Sequence, residues 1–199
     1  MGNILKGADT RERILDSADR LLAHYGYAKM TVDDLAEEAG IGKGTVYLYF
    51  ASKEAVALAH VDRIVERTLA EMYCIAASKK PALLRVRKML FARVLVRFSA
   101  VRNYSKSLDE LLAGIRGKLL ERRVRHFQME ARLFAEVLRE GSKRKEFRAI
   151  NVQKTADAIL WATNSLLPYS LTRAEFRNRA RVEARLGQVV RLVTQGLEA

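Results

Sequence analysis

Apolar residues return every three or four positions along almost the whole chain, and no stretch of useful length alternates with period two, so the pattern predicts an all-α protein. A first helix is expected from Thr10 to Tyr25, with Ile14, Ala18, Leu21 and Tyr25 as its stripe and Gly26 as its stop. A second starts at Thr31, which caps it by accepting the backbone N–H of Asp34. Val32, Leu35, Ala36 and Ala39 form its apolar side, and Asp33, Asp34, Glu37 and Glu38 cover the other before Gly40 ends it. After Ile41 and Gly42, Val46 and Phe50 sit one turn apart and point inward, leaving Lys43, Thr45, Tyr47 and Tyr49 on or beside the outer surface. Ser52 caps a fourth helix running towards Ala77, with Val56, Ala59, Val65, Leu69 and Met72 as its apolar face, and Pro81 marks the break.

Beyond Pro81 the same spacing predicts a helix over Ala82–Ala100 carrying Met89, Phe91, Val94, Leu95 and Phe98. A short helix near Leu108–Leu112 leads through Gly114 and Gly117 into a long one from Lys118 to Glu140. Its stripe of Leu120, Val124, Phe127, Ala131, Phe134 and Leu138 suits lengthwise packing in a bundle, and Gly141 is expected to stop it. Asn151 caps a helix through Ala156, Ile159, Leu160, Thr163 and Leu167 that ends at Pro168. The capping box of Thr172 and Glu175 then starts the last helix, whose stripe is Val182, Leu186, Val189, Val190, Val193 and Leu197.

Residues 31–53, TVDDLAEEAGIGKGTVYLYFASK, therefore read as a helix-turn-helix. The glycines invite a phosphate-loop reading, but Lys43 is followed by Gly44 rather than Ser or Thr, and the dinucleotide fingerprint would need glycine at position 45, where threonine stands. The run with Tyr47, Tyr49, Phe50 and Lys53 at these spacings, and a helix upstream, resembles the DNA-binding domain of the TetR family of bacterial transcription regulators. The resemblance covers about the first quarter of the chain. It implies contacts with double-stranded DNA by Lys43, Gly44, Thr45, Tyr47 and Tyr49, with Thr31 and Lys53 on phosphates. Leu48 stands where many relatives carry a polar or aromatic residue, and is expected to touch a thymine methyl or nothing. The division implied is a DNA-binding domain over 1–53 and a helical ligand-binding and dimerisation domain over 54–199, with the fourth helix as lever. The two closing helices either complete the core or, as the resemblance favours, pair with a symmetry mate in a homodimer that reads a palindromic operator.

Composition bounds the rest. The 199 residues are 49% apolar and 30% charged, ample for a buried core. Cys74 is the only cysteine, which rules out an intrachain disulfide, points to a reducing, cytoplasmic compartment and leaves the thiol as core filler. His24, His60 and His126 lack the spacing of a metal site, and no apolar run approaches membrane length. The net charge of +13 is unevenly placed: residues 1–53 hold seven basic and eight acidic side chains, residues 54–199 hold 29 and 15. Charge therefore supports DNA binding only weakly, and the densest basic run, from Lys79 to Lys106, contains no acid. It is a solvated face, an extra polyanion contact, or the mouth of a site for an anionic ligand such as an acyl-coenzyme A or organic acid.

Phe91, Phe98, Tyr104, Phe127, Phe134 and Trp161 are the group from which a ligand pocket would be walled, although aromatic residues at helical spacing also serve as plain core; Arg97 and Arg123 are named for anion contacts. No adjacent nucleophile and base, paired carboxylates or metal cluster stands out, so neither an enzyme nor a cofactor is expected. The reading is a ligand-responsive, dimeric DNA-binding regulator, a repressor released by a small-molecule effector. Its rivals are an architectural DNA binder without effector and a helical small-molecule-binding protein.

Overall fold

The computed structural model describes residues 2–104 and 107–198, with side chains from residue 9 onward, so Lys106 of the basic run lies outside the described residues. Among these, the helices are α1 (Gly2–His24), α2 (Val32–Ala39), α3 (Lys43–Tyr49), α4 (Lys53–Ala76), α5 (Ala82–Ala100), α6 (Leu108–Lys143), α7 (Val152–Asn164), α8 (Arg173–Phe176) and α9 (Arg179–Leu197). Short 3-10 turns cover Arg102–Tyr104 and Pro168–Ser170, and a lone antiparallel bridge joins Phe147 to Glu198. The all-α expectation holds.

The chain divides into two compact units. The first comprises Met1–Arg63 and Asn103–Leu120, the second Ile64–Arg102 and Glu121–Ala199. A compact unit of this make-up reaches past a break at residue 53 and takes in a distant segment. The reason is local packing: Tyr104, Leu108, Leu111 and Ile115 are buried, and the Tyr104 hydroxyl sits 2.9 Å from His60 Nε2. Burial, then the charge of Asp19, pushes the Tyr104 phenol above its ordinary range, while Arg63 pulls the other way. Ser107 donates to the Leu22 carbonyl at 3.3 Å. Gly114, expected in a linker, lies inside α6, and the Tyr27 ring comes so close that a Cβ there would stand 2.3 Å from it. Arg63 of α4 ties the same unit to α1 through Asp16 at 2.6 Å and the Leu15 carbonyl at 2.9 Å.

Several sequence expectations are corrected. The short helix and the long helix after residue 108 are one 36-residue element, α6, which Gly117 does not interrupt and Gly141 does not end. In the α6 stripe Ala131, Phe134 and Leu138 are buried, whereas Leu120 and Val124 face solvent. Tyr25 is likewise exposed, and the α1 stripe closes on Leu21 and Leu22 instead. The Thr172–Glu175 capping box forms, with both reciprocal bonds, but it heads the one-turn α8; the last helix has its own cap, Asn178 Oδ1 accepting from Arg181 N. Arg185 and the Thr172 bonds hold the Glu175 carboxyl down to about 2. Cys74 is exposed on α4 rather than core filler, since Glu71 and Tyr73 beside it also point outward.

The basic run also separates. Lys79, Lys80, Arg87, Lys88 and Arg102 are exposed, but Arg85, Arg93 and Arg97 are buried on the face of α5 that carries Met89 and Phe98. Positions 85, 89, 93 and 97 follow one another a turn apart, so one stripe of α5 mixes cations with core. Arg85 pairs with Glu140 at 2.7 Å and donates to the Ala76 carbonyl.

Candidate nucleic-acid interface

The helix-turn-helix is built by three local devices. Thr31 Oγ1 accepts from Asp34 N at 3.1 Å while Asp34 Oδ2 accepts from Thr31 N at 2.8 Å, closing the start of α2. Gly40 ends α2 at φ +62, the left-handed conformation that glycine adopts without strain, and Ile41 N returns to the Ala36 carbonyl at 3.0 Å. Arg13 of α1 donates to the Ala39 carbonyl at 2.5 Å, fixing that corner against the first helix. Val46 and Phe50 are buried as their spacing requires, with the Arg11 guanidinium 5.6 Å from the Phe50 ring centre.

The opposite side of α3 is thereby turned outward. Lys43, Gly44, Tyr47, Leu48 and Tyr49 are exposed and Thr45 is half-buried. A Cβ added at Gly44 would meet nothing within 4 Å, so no internal contact demands glycine there. Lys43 Nζ lies 2.8 Å from Asp33, whose hydrogen bond and charge raise the ammonium pKa. Exposed pairs of this kind are weak and readily exchanged for a phosphate. Ser52 accepts from Ala55 N at 3.1 Å and starts α4. Lys53 next to it points back: its ammonium is 3.1 Å from the Tyr27 carbonyl, 3.4 Å from that of Ala28 and 4.6 Å from the Tyr27 ring centre. Two of its protons are used inside the protein, leaving one for an outside acceptor.

Leu48 is the most exposed large apolar side chain described, at 83%. Water gains nothing from it there, and the apolar feature that the DNA major groove offers is the thymine methyl. For a duplex read by α3 with a thymine apposed to Leu48, replacing that thymine by deoxyuridine is expected to weaken binding about fourfold per contact, the worth of one buried methyl group. With Leu48→Ala, thymine and deoxyuridine duplexes should bind alike; persistence of the difference would assign the methyl contact elsewhere.

The six aromatic residues named for a pocket are not brought together. Tyr104 belongs to the first unit, held by His60. Trp161 is 61% exposed on α7, its ring 5.0 Å from that of Phe127. Phe98 and Phe134 are core, Phe98 stacking on Phe176 at 4.5 Å, and Phe91 is half-buried. What sequence reasoning missed is the buried cluster of the second unit. Arg93 Nε and Arg97 Nη2 both donate to the Glu130 carboxylate, and Arg93 Nη1 donates to Thr163 Oγ1 at 2.7 Å. Arginines one turn apart on an otherwise apolar helix face were its signal. Among the described residues there is no grouping of ligands fit for a metal, and no helix is long and apolar enough to cross a membrane.

Comparison with known proteins bears on the same region. Residues 14–60 match the family described as bacterial regulatory proteins, tetR family. The HTH-type transcriptional regulator EthR of Mycolicibacterium smegmatis is 48% identical over 61 residues, 31% of this chain and 28% of that protein. The chain thus matches less than a third of that relative's length. Over the whole fold, a transcriptional regulator from Cytophaga hutchinsonii superposes with a TM-score of 0.73 at 22% identity, covering 94% of this chain and 98% of that one. FadR from Bacillus subtilis, solved with stearoyl-CoA, does so at 0.64 and 18% identity, covering 94% and 99%. The stretch that holds the capped helix-turn-helix thus matches the tetR family of bacterial regulatory proteins, and the chain as a whole shares its fold with these solved proteins.

Proposed function

We propose that this chain is a homodimeric repressor that binds a palindromic operator through α3 and is released when a small molecule binds its second unit. The outward row of α3, Lys43 through Tyr49 held by buried Val46 and Phe50, carries this reading. A short helix so turned suits the major groove, with Thr45, Tyr47 and Tyr49 reaching base edges, Lys43 and Gly44 at the entry, and Thr31 and Lys53 on phosphates. Dimerisation is supported by the outer faces of α7 and α9. Ala156, Ile159, Val182 and Leu186 fill the unit's own core, while Trp161 and Leu192, 71% exposed, stand in solvent. An open groove of about 440 Å³ between these helices is lined by Ala158, Ala162, Val193 and Gly196 with Arg148 and Lys154. A two-fold dimer would read half-sites one DNA turn, roughly 34 Å, apart.

Release follows from linkage. The effector binds the DNA-incompetent conformer more tightly, and DNA weakens effector binding by the same factor; coupling of about 1–3 kcal/mol gives a roughly 5–150-fold switch.

Fluorescence anisotropy on the DNA flanking the gene, against a scrambled duplex across a salt series, tests the reading. A preference of at least about 10³-fold with two protomers per site is expected. Equal binding to both duplexes would favour an architectural protein, and no binding at low salt would remove DNA from the account. In the same assay Lys53→Ala should weaken all duplexes and flatten the salt slope by about one, whereas Thr45→Ala should chiefly relax base preference. Identical behaviour of the two would overturn the division between phosphate and base contacts. A melt of Lys53→Ala separates loss of its Tyr27 and Ala28 bonds from loss of a phosphate.

A further inference from the structure

The end of α4, the start of α5 and the end of α6 meet at one corner of the second unit. Arg85 of α5 donates to the Ala76 carbonyl at 2.8 Å and to Glu140 at 2.7 Å, while Glu146 accepts from Ala82 N at 2.5 Å. Both acids of this corner are thereby taken from within. Glu140 holds Arg85 with one oxygen and Arg144, at 2.6 Å, with the other; Glu146 caps α5 and has Arg144 at 3.9 Å. Arg85 still keeps Nε and Nη2 buried without a partner, so even the interior cation is incompletely matched. Around this frame Lys79, Lys80, Arg87 and Lys88 are exposed, and none of them makes an ion pair with a described residue. Lys80 reaches Lys88, whose pKa its hydrogen bond and then its charge lower. Residues 77–88 and 140–146 together carry eight basic side chains and only the two acids already engaged.

Like charges crowded on a surface repel one another, and a basic face that serves solubility alone has acids interspersed. We propose that this corner is a second, sequence-independent contact for double-stranded DNA, with Lys79, Lys80, Arg87 and Lys88 lying on backbone phosphates. Flexible point charges of this kind hold the backbone and carry no base readout. The reading head supplies little of such a hold, since residues 1–53 carry seven basic and eight acidic side chains. A lipid surface would call for apolar residues inserted beside the cations, and on these two segments the exposed large apolar residue is Leu84 alone, at 36%. The inference shares its partner with the reading above and none of its residues.

The test is fluorescence anisotropy of the full chain on a random-sequence duplex across a salt series. Lys79→Gln, Lys80→Gln and Lys88→Gln combined should flatten the slope of log affinity against log salt by about two to three, so that the native chain loses roughly 15–60-fold more affinity between about 50 and 200 mM salt than the variant. All three lysines are exposed, so the variant should fold as the parent does. The control removes the same charge elsewhere: Arg125→Gln, Arg132→Gln and Arg139→Gln, exposed along α6, should leave the slope unchanged. The proposal is overturned if the lysine variant keeps the native slope, or if the control flattens it equally and the effect is one of net charge. Phosphatidylglycerol vesicles are the second probe; native binding to them as tight as to the duplex, lost in the lysine variant, would make the corner a lipid surface and overturn the DNA contact. In a Lys43→Gln, Tyr47→Ala background the operator preference should vanish while the slope difference persists, so either reading can fail without the other. Disappearance of the difference there would assign the slope to α3 and overturn the corner.

Discussion

Glu130→Gln is expected to lower the thermal midpoint by roughly 6–20 °C, a loss of about 3–5 kcal/mol. The substitution keeps the side chain's shape and removes its charge, so Arg93 and Arg97 remain buried together without a counter-ion. At an effective dielectric near 20, each charge pair at 4 Å is worth about 4 kcal/mol. The glutamine oxygen still accepts from one arginine, but its amino group meets the other arginine's N–H donor to donor. Acid should act in the same direction on the native protein. Burial pushes the Glu130 carboxyl up, yet Arg97 and Arg93 outweigh it and hold its pKa below the ordinary value. A carboxylate with a lowered folded-state pKa contributes its full stability above the unfolded value and loses it as the pH falls through the folded one. Melts from neutral pH to about 3, straddling the unperturbed glutamate value of about 4.3, should therefore fall more steeply for the native chain than for Glu130→Gln. A variant melting within a degree of the native protein at neutral pH would mean that the three charges are not buried together.

Gly141→Ala should cost about 2–3 kcal/mol, a fall of roughly 4–12 °C, despite sitting in a helix where alanine is intrinsically better by about 1 kcal/mol. An added Cβ would stand 2.2 Å from Phe147 Cε2 and 2.7 Å from Ala82 Cβ. Phe147 is buried, so its ring has no open side to turn to. Ala82 has no longer side chain to swing away, and its N–H is fixed by Glu146 at 2.5 Å. Relief requires moving α5 or α6, so overlap outweighs propensity. Differential scanning calorimetry decides: a variant as stable as the parent, or more so, would place Phe147 elsewhere.

Gly141 also shows where the sequence was legible and where it was not. Helix starts announced themselves, because caps are chemistry confined to four residues: Thr31 with Asp34, Ser52 with Ala55, Asn151 with Lys154 and Thr172 with Glu175 all form. Gly40 was readable as a stop because a left-handed residue follows α2. Gly114 and Gly141 carry the same letter for another reason, close approach of the distant Tyr27 ring at one and of Phe147 with the distant Ala82 at the other, which no helix-stop pattern encodes. Asn178 could be recognised as a cap only once α8 was seen to end before it. The outward residues of α3 followed from Val46 and Phe50 alone. In the second unit, by contrast, charge misled: Arg93 and Arg97 resemble solvated residues until Glu130, more than thirty positions on, is brought beside them.

The contribution of residues 103–120 to the first unit bears on how such regulators are recombined. The family match ends at residue 60, and a graft cut there would transplant α1 to α3 without Tyr104, Ser107 and Gly114, the partners of His60, Leu22 and Tyr27. Such a chimaera would leave His60 facing a foreign side chain and the Tyr27 ring against whatever the host carries in place of glycine. An exchange of the outward row has two routes: move both segments together, or confine the swap to the outer face of α3, where Lys43 holds a weak, exposed pair with Asp33.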